Sequence, residues 1–175
     1  MTSCAKCHFV YEDLAPEETS GALRHGAREI RGRLGTLLDE PGGVERLRTR
    51  PEAETWSALE CAGHVRDVLL TQHGRLYQAL VEEVPAFSPM HRNERVLLGG
   101  YNDEDPATTS TEVTIAADLL ARLLTRLRVT EWSRRCIYNY PEPTEVDVVW
   151  LARHSMHEVV HHLLDIDEVI ARVAN

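Results

Sequence analysis

The densest group of candidate ligands is HSMHEVVHHLLDID, residues 154–167, which holds four of the chain's nine histidines. Two pairs in it have the i, i+4 spacing, His157 with His161 and Glu158 with His162. On an α-helix such pairs lie on one face, about 5–6 Å apart at Cβ, so both side chains can bind one ion. Imidazole nitrogen and carboxylate oxygen are ligands for zinc and other divalent transition metals. The stretch therefore predicts a metal site on a helix.

Helical phase does not choose between the two pairs. At about 100° per residue, the apolar stripe expected to face the core consists of Met156, Val159, Leu163, Ile166 and Ile170. The two pairs fall on opposite sides of this stripe, so each is expected to flank the core along one edge. Both registers stay open on this ground, as does the question of whether the pairs serve one site or two.

One more ligand must come from another element, and His64 is the candidate. It lies in WSALECAGHVRDV, residues 56–68, between positions expected to face the core. A lone histidine in such a place is usually a core residue with one hydrogen bond, but the cluster on a later helix favours a ligand. Cys61 could approach the same pocket, and both it and Cys136 are expected to be ordinary thiols.

Four long segments with helical periodicity must position these side chains. The predicted helices cover residues 16–38, 57–84, 111–128 and 147–173. Residues 41–55 and 85–110 are predicted to be loops, and 130–146 a turn or a short hairpin. Ser57, with Glu60 three residues on, has the spacing of a capping box. These lengths predict an all-α four-helix bundle over residues 16–175, preceded by an N-terminal CxxC extension over 1–15.

Composition excludes several function classes. The net charge of −9 argues against a nucleic-acid-binding surface, which needs clustered lysine and arginine. No apolar run reaches the roughly 18–20 residues of a membrane span, and the first residues lack the pattern of a signal peptide. The protein is therefore expected to be cytoplasmic, to have no membrane partner, and to carry its four cysteines as thiols or metal ligands.

Residues on two of the predicted helices resemble the DinB-like superfamily, which includes mycothiol-dependent maleylpyruvate isomerases and bacterial thiol S-transferases. The resemblance covers residues 56–175 in order and spacing, and 16–55 only as a helix. The matching residues at and near the second predicted helix are Trp56, Ser57, Glu60 and His64. It implies a four-helix bundle with a three-ligand metal site, formed by one histidine of that helix and two ligands four residues apart on a late helix.

The late helix resembles the isomerases in particular. Their first late ligand is a glutamate in a segment of the form E-x-x-x-H-x-x-D-L, and EVVHHLLDI matches it with Ile166 in place of the leucine. The resemblance therefore implies a main site of His64, Glu158 and His162. Asp165 is expected to contribute to catalysis by accepting a hydrogen bond from His162 and so orienting that imidazole.

The opening CAKCHF resembles the C-x-x-C-G-F that begins a group of actinobacterial members, with His8 in place of the glycine. A C-x-x-C turn directs two thiolates at one tetrahedral zinc ion but supplies only two ligands. With the main site assigned as above, His157 and His161 are left to complete a second, Cys2His2 site with Cys4 and Cys7. This hypothesis requires the N-terminus to fold back on the last helix.

Other interpretations of the two cysteines stay open. They can be reduced, unpaired thiols at a frayed terminus. C-x-x-C-H is also the attachment pattern of c-type haem, but no export signal is present. A thioredoxin-like redox pair is disfavoured because no βαβ pattern follows.

The implied activity is that of a metal-dependent enzyme, with zinc as the expected ion. A site with two histidines and one glutamate leaves a coordination position open, as catalytic zinc sites do. By resemblance, the enzyme is a thiol S-transferase or isomerase that uses a low-molecular-weight thiol such as mycothiol on a small-molecule substrate. Arg66 and Arg153 are candidate binders of a substrate carboxylate, although surface ion pairing is the simpler role for both.

The alternative is a non-catalytic, metal-stabilised stress or binding protein in which protein groups fill every coordination position. The coordination sphere of the bound metal distinguishes the two hypotheses. A homodimer is a further expectation, since members of this superfamily are often dimers.

Overall fold

The structure, a computed structural model, describes residues 3–139 and 141–174. Met1, Thr2, Tyr140 and Asn175, which fall within the predicted extension, hairpin and bundle, lie outside the described residues. The elements in chain order are α1 (Thr19–Leu38), α2 (Gly43–Arg48), α3 (Ala58–Val81), β1 (Ala86–Phe87), α4 (Arg92–Gly99), α5 (Pro106–Leu124), β2 (Arg135–Asn139), β3 (Pro143–Asp147) and α6 (Val148–Val173).

The four long helices pack into a bundle, which confirms the predicted fold class. Both α1 and α3 pack against α5 and against α6, so α3 and α6 are neighbours along their length. Most of the largest fully buried side chains of the bundle are apolar, and these include Leu23, Ile30, Leu34, Leu59, Leu69, Leu76, Leu120, Leu151 and Ile166. Each such side chain stabilises the fold by about 1.5–3 kcal/mol relative to its exposed state. No helix among the described residues is both long and apolar enough to cross a membrane.

The start of α3 is fixed by the capping box that the sequence predicts. The Ser57 hydroxyl accepts a hydrogen bond from the Glu60 backbone at 3.1 Å, and the Glu60 carboxylate accepts one from the Ser57 backbone at 2.8 Å. The same carboxylate receives two hydrogen bonds from Arg50. This start sets the rotation of α3, and with it the direction in which His64 points.

The third long helix differs from its predicted bounds. It runs over Pro106–Leu124, whereas the sequence predicts 111–128. Asp105 caps it by accepting a hydrogen bond from the Thr108 backbone at 2.8 Å, and Pro106 occupies the first helical position, where no N–H is needed. Hydroxyls of the following Ser and Thr residues donate to carbonyls one turn back, so this polar stretch is helical although its composition resembles a loop.

Two predicted loops also contain helices. Residues 41–55 include the short α2, and residues 85–110 include α4 as well as the start of α5. The second predicted helix ends at Val81 and not at residue 84. The apolar positions that stabilise α2 and α4 are Leu47 and Val96, each a single buried side chain that gives too short a pattern to predict a helix.

The predicted hairpin is present as β2 and β3, which pair antiparallel and lead directly into α6. Asp147 ends β3 and caps α6 by accepting a hydrogen bond from the Trp150 backbone at 2.8 Å. β1 adds to the hairpin in parallel, with Phe87 opposite Tyr138. Tyr138 is buried and its ring contacts His154 on α6, so the small sheet covers the first turns of that helix.

The N-terminal segment folds back on α6, as the hypothesis of a second site requires. Arg153 donates a hydrogen bond to the carbonyl of Leu14 at 2.8 Å, and the Tyr11 hydroxyl lies 2.9 Å from Nδ1 of His154. Tyr11 is 2% exposed and stacks on Trp150. The segment is therefore part of the packed structure along this helix.

Replacing Ser57 with Ala tests the capping box. We expect the free energy of unfolding to fall by about 1–2 kcal/mol, because the hydroxyl caps α3 and also donates to Asn102. Chemical denaturation with matched m-values measures the change. Ser133→Ala, at an exposed position in a turn, is the control and should change stability by less than about 0.5 kcal/mol. Equal effects of the two substitutions would contradict the role assigned to the cap.

Candidate metal centre

His64 on α3 faces Glu158 and His162 on α6, where the two helices pack side by side. Oε2 of Glu158 lies 3.7 Å from Nε2 of His64 and 3.8 Å from Nε2 of His162. Two such atoms on one tetrahedral zinc ion lie about 3.4 Å apart, given metal–ligand distances of about 2.0–2.1 Å. The spacing of the three atoms is thus close to that of a shared ion.

The chemical state of these side chains suits a divalent metal. His64 is 2% exposed, and neither of its ring nitrogens has a hydrogen-bond partner among the described residues. Burial lowers its pKa, so the imidazole is neutral and offers a lone pair. Burial alone would raise the pKa of Glu158, but the imidazoles of His157 and His64 hold it well below its ordinary value. An anionic carboxylate beside a buried, unpartnered imidazole fits a metal-binding site.

Asp165 is placed to orient His162. One of its carboxylate oxygens lies 2.8 Å from Nδ1 of His162, and Lys6 pairs with the other. Burial would raise the pKa of Asp165, but His162 and Lys6 lower it to about 2. The contact lacks hydrogen-bond geometry, but the negative charge beside Nδ1 favours the tautomer with its proton there, which leaves Nε2 free to face Glu158.

Glu158 is held from its other side as well. Oε1 lies 3.4 Å from Nδ1 of His157 and 3.7 Å from Nε2 of His154, so it points away from the His64 side. The two nitrogens of His154 in turn lie 2.9 Å from the Tyr11 hydroxyl and 3.1 Å from that of Tyr138. Neither His154 nor the two tyrosines were predicted from the sequence to be site residues. The spacing of His154 four residues before Glu158 was the available signal, whereas the tyrosines come from distant segments.

Two cavities meet at the three candidate ligands. One, of about 290 Å³, is lined by His64 and Glu158 together with Arg75. The other, of about 410 Å³, is lined by His162 and Asp165. The first turn of α4, with Arg92 and Asn93, lines both cavities and lies between them. The site is therefore accessible from two directions.

Arg75 is a buried charge in the first cavity that the sequence analysis missed. It is 8% exposed, donates to the hydroxyl of Tyr138 at 3.2 Å and to the carbonyl of Ser88, and has no carboxylate partner among the described residues. A buried guanidinium without a counter-ion is costly, so this position suits an incoming anion. An arginine in the middle of a helix is usually exposed, so the sequence does not indicate that Arg75 is buried or that it suits an anion.

The remaining sequence candidates lie elsewhere. Arg66 pairs with Glu104 and Glu112, and Arg153 bonds a backbone carbonyl, so neither faces the three ligands. Cys136 is buried among apolar side chains of the core, as expected for an ordinary thiol.

Cys61 does approach the site, since its sulfur lies within 4.8 Å of ligand atoms of His162 and Asp165. Burial and the nearby carboxylates of Asp165 and Glu60 raise the pKa of Cys61, which keeps it a neutral thiol. It is therefore a neighbour of the three ligands and not a further anionic donor.

The two i, i+4 pairs of α6 are neighbours, contrary to the prediction that they lie on opposite edges of the core stripe. His157 contacts Glu158, and the rings of His161 and His162 are 5.2 Å apart. Only the pair that includes His162 faces α3. The other pair lies beneath the N-terminal segment, close to Cys4. The error arose because the stripe was centred on Leu163 and Ile170, which are only partly buried, while the buried positions include Ser155, His162 and Val169.

Comparison with known proteins adds a family and a fold. A family model described as the DinB superfamily matches residues 22–166. YfiT from Bacillus subtilis, described as a probable metal-dependent hydrolase with an unusual four-helix bundle topology, superposes with a TM-score of 0.73 at 18% identity, covering 92% of this chain and 90% of that one. No curated protein sequence matches the chain.

The second similar structure is the mycothiol-dependent maleylpyruvate isomerase. It superposes with a TM-score of 0.69 at 19% identity, covering 99% of this chain and 70% of that one. A mutant of the same isomerase, in which alanine replaces one histidine, gives a TM-score of 0.70 at 20% identity over the same shares. At these identities the likeness shows the bundle fold, and the site itself has to be argued from this chain's residues.

We expect His64→Ala and His162→Ala each to lower the metal content by about one equivalent. Each removes one of three ligand side chains, and the remaining two bind a divalent ion too weakly to survive purification. Elemental analysis of protein loaded with zinc and then desalted measures the stoichiometry. His73→Ala, on α3 but in contact with Tyr77 and away from the cluster, is the control. Wild-type stoichiometry in both ligand variants would overturn the assignment.

Proposed function

Since the chain belongs to the DinB superfamily, we propose that it is a metal-dependent enzyme that uses a low-molecular-weight thiol such as mycothiol. The reaction is transfer of the thiol to a small anionic substrate, or isomerisation of that substrate through the thiol. The observation that carries the proposal is the position of His64, Glu158 and His162 at the junction of two cavities.

The proposed ion is zinc, held by the three side chains just named. Two imidazoles and one carboxylate form a donor set that zinc accepts, with a further position left for a water or a substrate atom. When bound, the metal supplies Lewis acidity, which lowers the pKa of a coordinated water or thiol. Asp165 keeps His162 in the tautomer that donates its Nε2 lone pair, and Lys6 keeps Asp165 in place.

The cavity on the His64 side is proposed to hold the anionic substrate. Arg75 uses two of its five N–H groups on Tyr138 and Ser88, so donors remain for a carboxylate. The amides of Gln72 and Asn139 line the same cavity and offer further hydrogen bonds. A carboxylate there would supply the counter-ion that Arg75 lacks within the described residues.

Two cavities that converge on one centre suit a reaction of two molecules. The cavity beside His162 is the larger and is polar, and its lining includes Lys6 and Arg172. It is proposed to hold the thiol co-substrate, so that the sulfur and the substrate approach the centre from opposite sides of Arg92 and Asn93. The mycothiol dependence of the structurally similar isomerase supports this co-substrate.

Hydrolysis is the second candidate function. The structural similarity to YfiT supports this function, because YfiT is described as a probable metal-dependent hydrolase and superposes over 90% of its own length. A hydrolase would place water where the transferase places the thiol. The two functions therefore share the ligands and differ in whether turnover needs a thiol.

The thiol requirement distinguishes these functions. Zinc-loaded protein is assayed with mycothiol against maleylpyruvate and against an electrophilic aryl halide, and without thiol against carboxylic esters and amides. We expect turnover that depends on mycothiol concentration and falls at least about 100-fold in His64→Ala, because the metal's Lewis acidity is lost. His73→Ala should keep the wild-type rate. Turnover that is independent of thiol would favour the hydrolase, and failure of mycothiol to bind the metal-loaded protein would overturn the proposal.

Arg75→Met tests the anion site. We expect binding of a small dicarboxylate, measured by calorimetry, to weaken about 10- to 100-fold, because a charge-assisted hydrogen bond contributes about 1.5–3 kcal/mol. Arg122→Met on α5, at an exposed position, is the control. Circular dichroism checks that both variants fold. Unchanged affinity in folded Arg75→Met would contradict the role of this residue.

A further inference from the structure

The N-terminal segment forms a tight turn that places both of its cysteines on one side. Ser3 and Val10 pair across the turn, the Cys4 backbone N–H donates to the carbonyl of Phe9 at 2.9 Å, and the His8 N–H donates to that of Cys4 at 3.0 Å. His8 closes the turn in the left-handed region, with φ of 58°, a conformation that most side chains avoid. The backbone is thus held in a shape that brings Cys4 and Cys7, which are three positions apart, close together.

Backbone N–H groups of the turn point towards the two cysteine sulfurs. Backbone N–H groups of Cys7 and Lys6 interact with the sulfur of Cys4, and the N–H of Phe9 interacts with that of Cys7. Such N–H contacts stabilise a thiolate, the form of cysteine that binds metal.

Two imidazoles of α6 complete a group of four donors. Ligand atoms of Cys4, Cys7, His157 and His161 all lie within 4.8 Å of one another. Sγ of Cys4 is 3.6 Å from Nδ1 of His161. A sulfur and a nitrogen on one tetrahedral zinc ion lie about 3.5 Å apart, given bonds of about 2.3 and 2.0 Å.

His157 points to a ligand that the chain itself does not provide. It is 7% exposed, yet neither ring nitrogen has a hydrogen-bond partner among the described residues, and Glu158 approaches Nδ1 only to 3.4 Å without hydrogen-bond geometry. The rings of Phe9 and Tyr11 pack on it at 5.8 and 5.7 Å and limit access of water. A buried imidazole in this state normally has a partner, and a metal ion next to two sulfurs is one.

We propose that Cys4, Cys7, His157 and His161 form a second metal centre, separate from the three-ligand site, that binds zinc and fastens the N-terminal segment to α6. Two thiolates and two imidazoles are the donor set of closed, tetrahedral structural zinc sites. All four positions are filled by protein, so this ion is structural and takes no substrate. The role of this centre does not depend on which reaction the other site performs.

The closed centre also supports its neighbour. Lys6, between the two cysteines, pairs with Asp165, and His157 contacts Glu158. Opening the turn would release the Lys6 contact, and with it one of the groups that hold Asp165 in place. Loss of the second ion should therefore weaken the affinity of the first site without removing it.

Metal stoichiometry tests the proposal on the full chain, purified under reducing conditions with zinc and desalted. We expect two equivalents in the wild type, one in the double variant Cys4→Ser/Cys7→Ser, and one in His64→Ala. The control Cys136→Ala, which removes a buried thiol that belongs to neither donor set, should keep two. A folded double cysteine variant that keeps the wild-type stoichiometry overturns the second centre. The His64→Ala result bears only on the first site, so the two assignments can fail separately.

Spectroscopy of the wild-type protein provides a second test, which does not depend on whether the cysteine variant folds. Cobalt-loaded wild type should show thiolate-to-cobalt charge-transfer absorption, and X-ray absorption of the zinc form should show sulfur ligands. The His64→Ala variant should retain both signals, because loss of the His64 imidazole affects only the three-ligand site, which has no sulfur ligand. Absence of sulfur ligation in protein that holds two ions would overturn the proposal, as would a Cys4–Cys7 disulfide in metal-loaded protein.

Discussion

The organisation of this protein depends on one carboxylate that is held among imidazoles. Glu158 has a pKa well below its ordinary value, so it carries its charge in a mostly buried position. All of its ion-pair contacts among the described residues are to histidines. Burial keeps two of these, His64 and His154, neutral by lowering their pKa values, that of His154 to about 4. His157 differs from them, since Glu158 and Cys4 raise its pKa against the effect of burial. A divalent ion beside His64 would add positive charge next to this buried anion.

This constraint explains why elements far apart in sequence meet at one turn of α6. α3 brings His64 to one oxygen of the carboxylate, while the N-terminal segment and the hairpin bring Tyr11 and Tyr138 to His154 behind the other. The tyrosine hydroxyls fix the orientation of an imidazole that would otherwise rotate. Packing of the N-terminal segment against α6 therefore helps to hold His154 and Glu158 in place. The small sheet does the same through Tyr138, in addition to covering the first turns of α6.

Periodic and capped features of this fold could be predicted from the sequence, and features that depend on tertiary packing could not. The bundle and the Ser57 cap follow from local patterns. The early start of α5 did not, because Asp105 and Pro106 look like a loop until the chain after them is known to be helical. For the site, spacing and family resemblance brought together His64, Glu158 and His162, which the structure places near one another. Arg75 could not be recognised from the sequence, because what distinguishes it is the lack of a carboxylate partner among the described residues.

The placement of two donor sets on one helix raises the question of what keeps them apart. The rings of His161 and His162 are only 5.2 Å apart, so mixed coordination would be easy if the side chains rotated freely. Asp165 contacts both imidazoles but at different nitrogens, since it lies 2.8 Å from Nδ1 of His162 and 3.7 Å from Nε2 of His161. Asp165 lies at Nδ1 of His162 and turns Nε2 towards α3, while Cys4 faces Nδ1 of His161 and turns it towards the N-terminal segment. Because opposite nitrogens are used, adjacent residues of one helix face two different elements, and the hard and soft donors stay on separate sides.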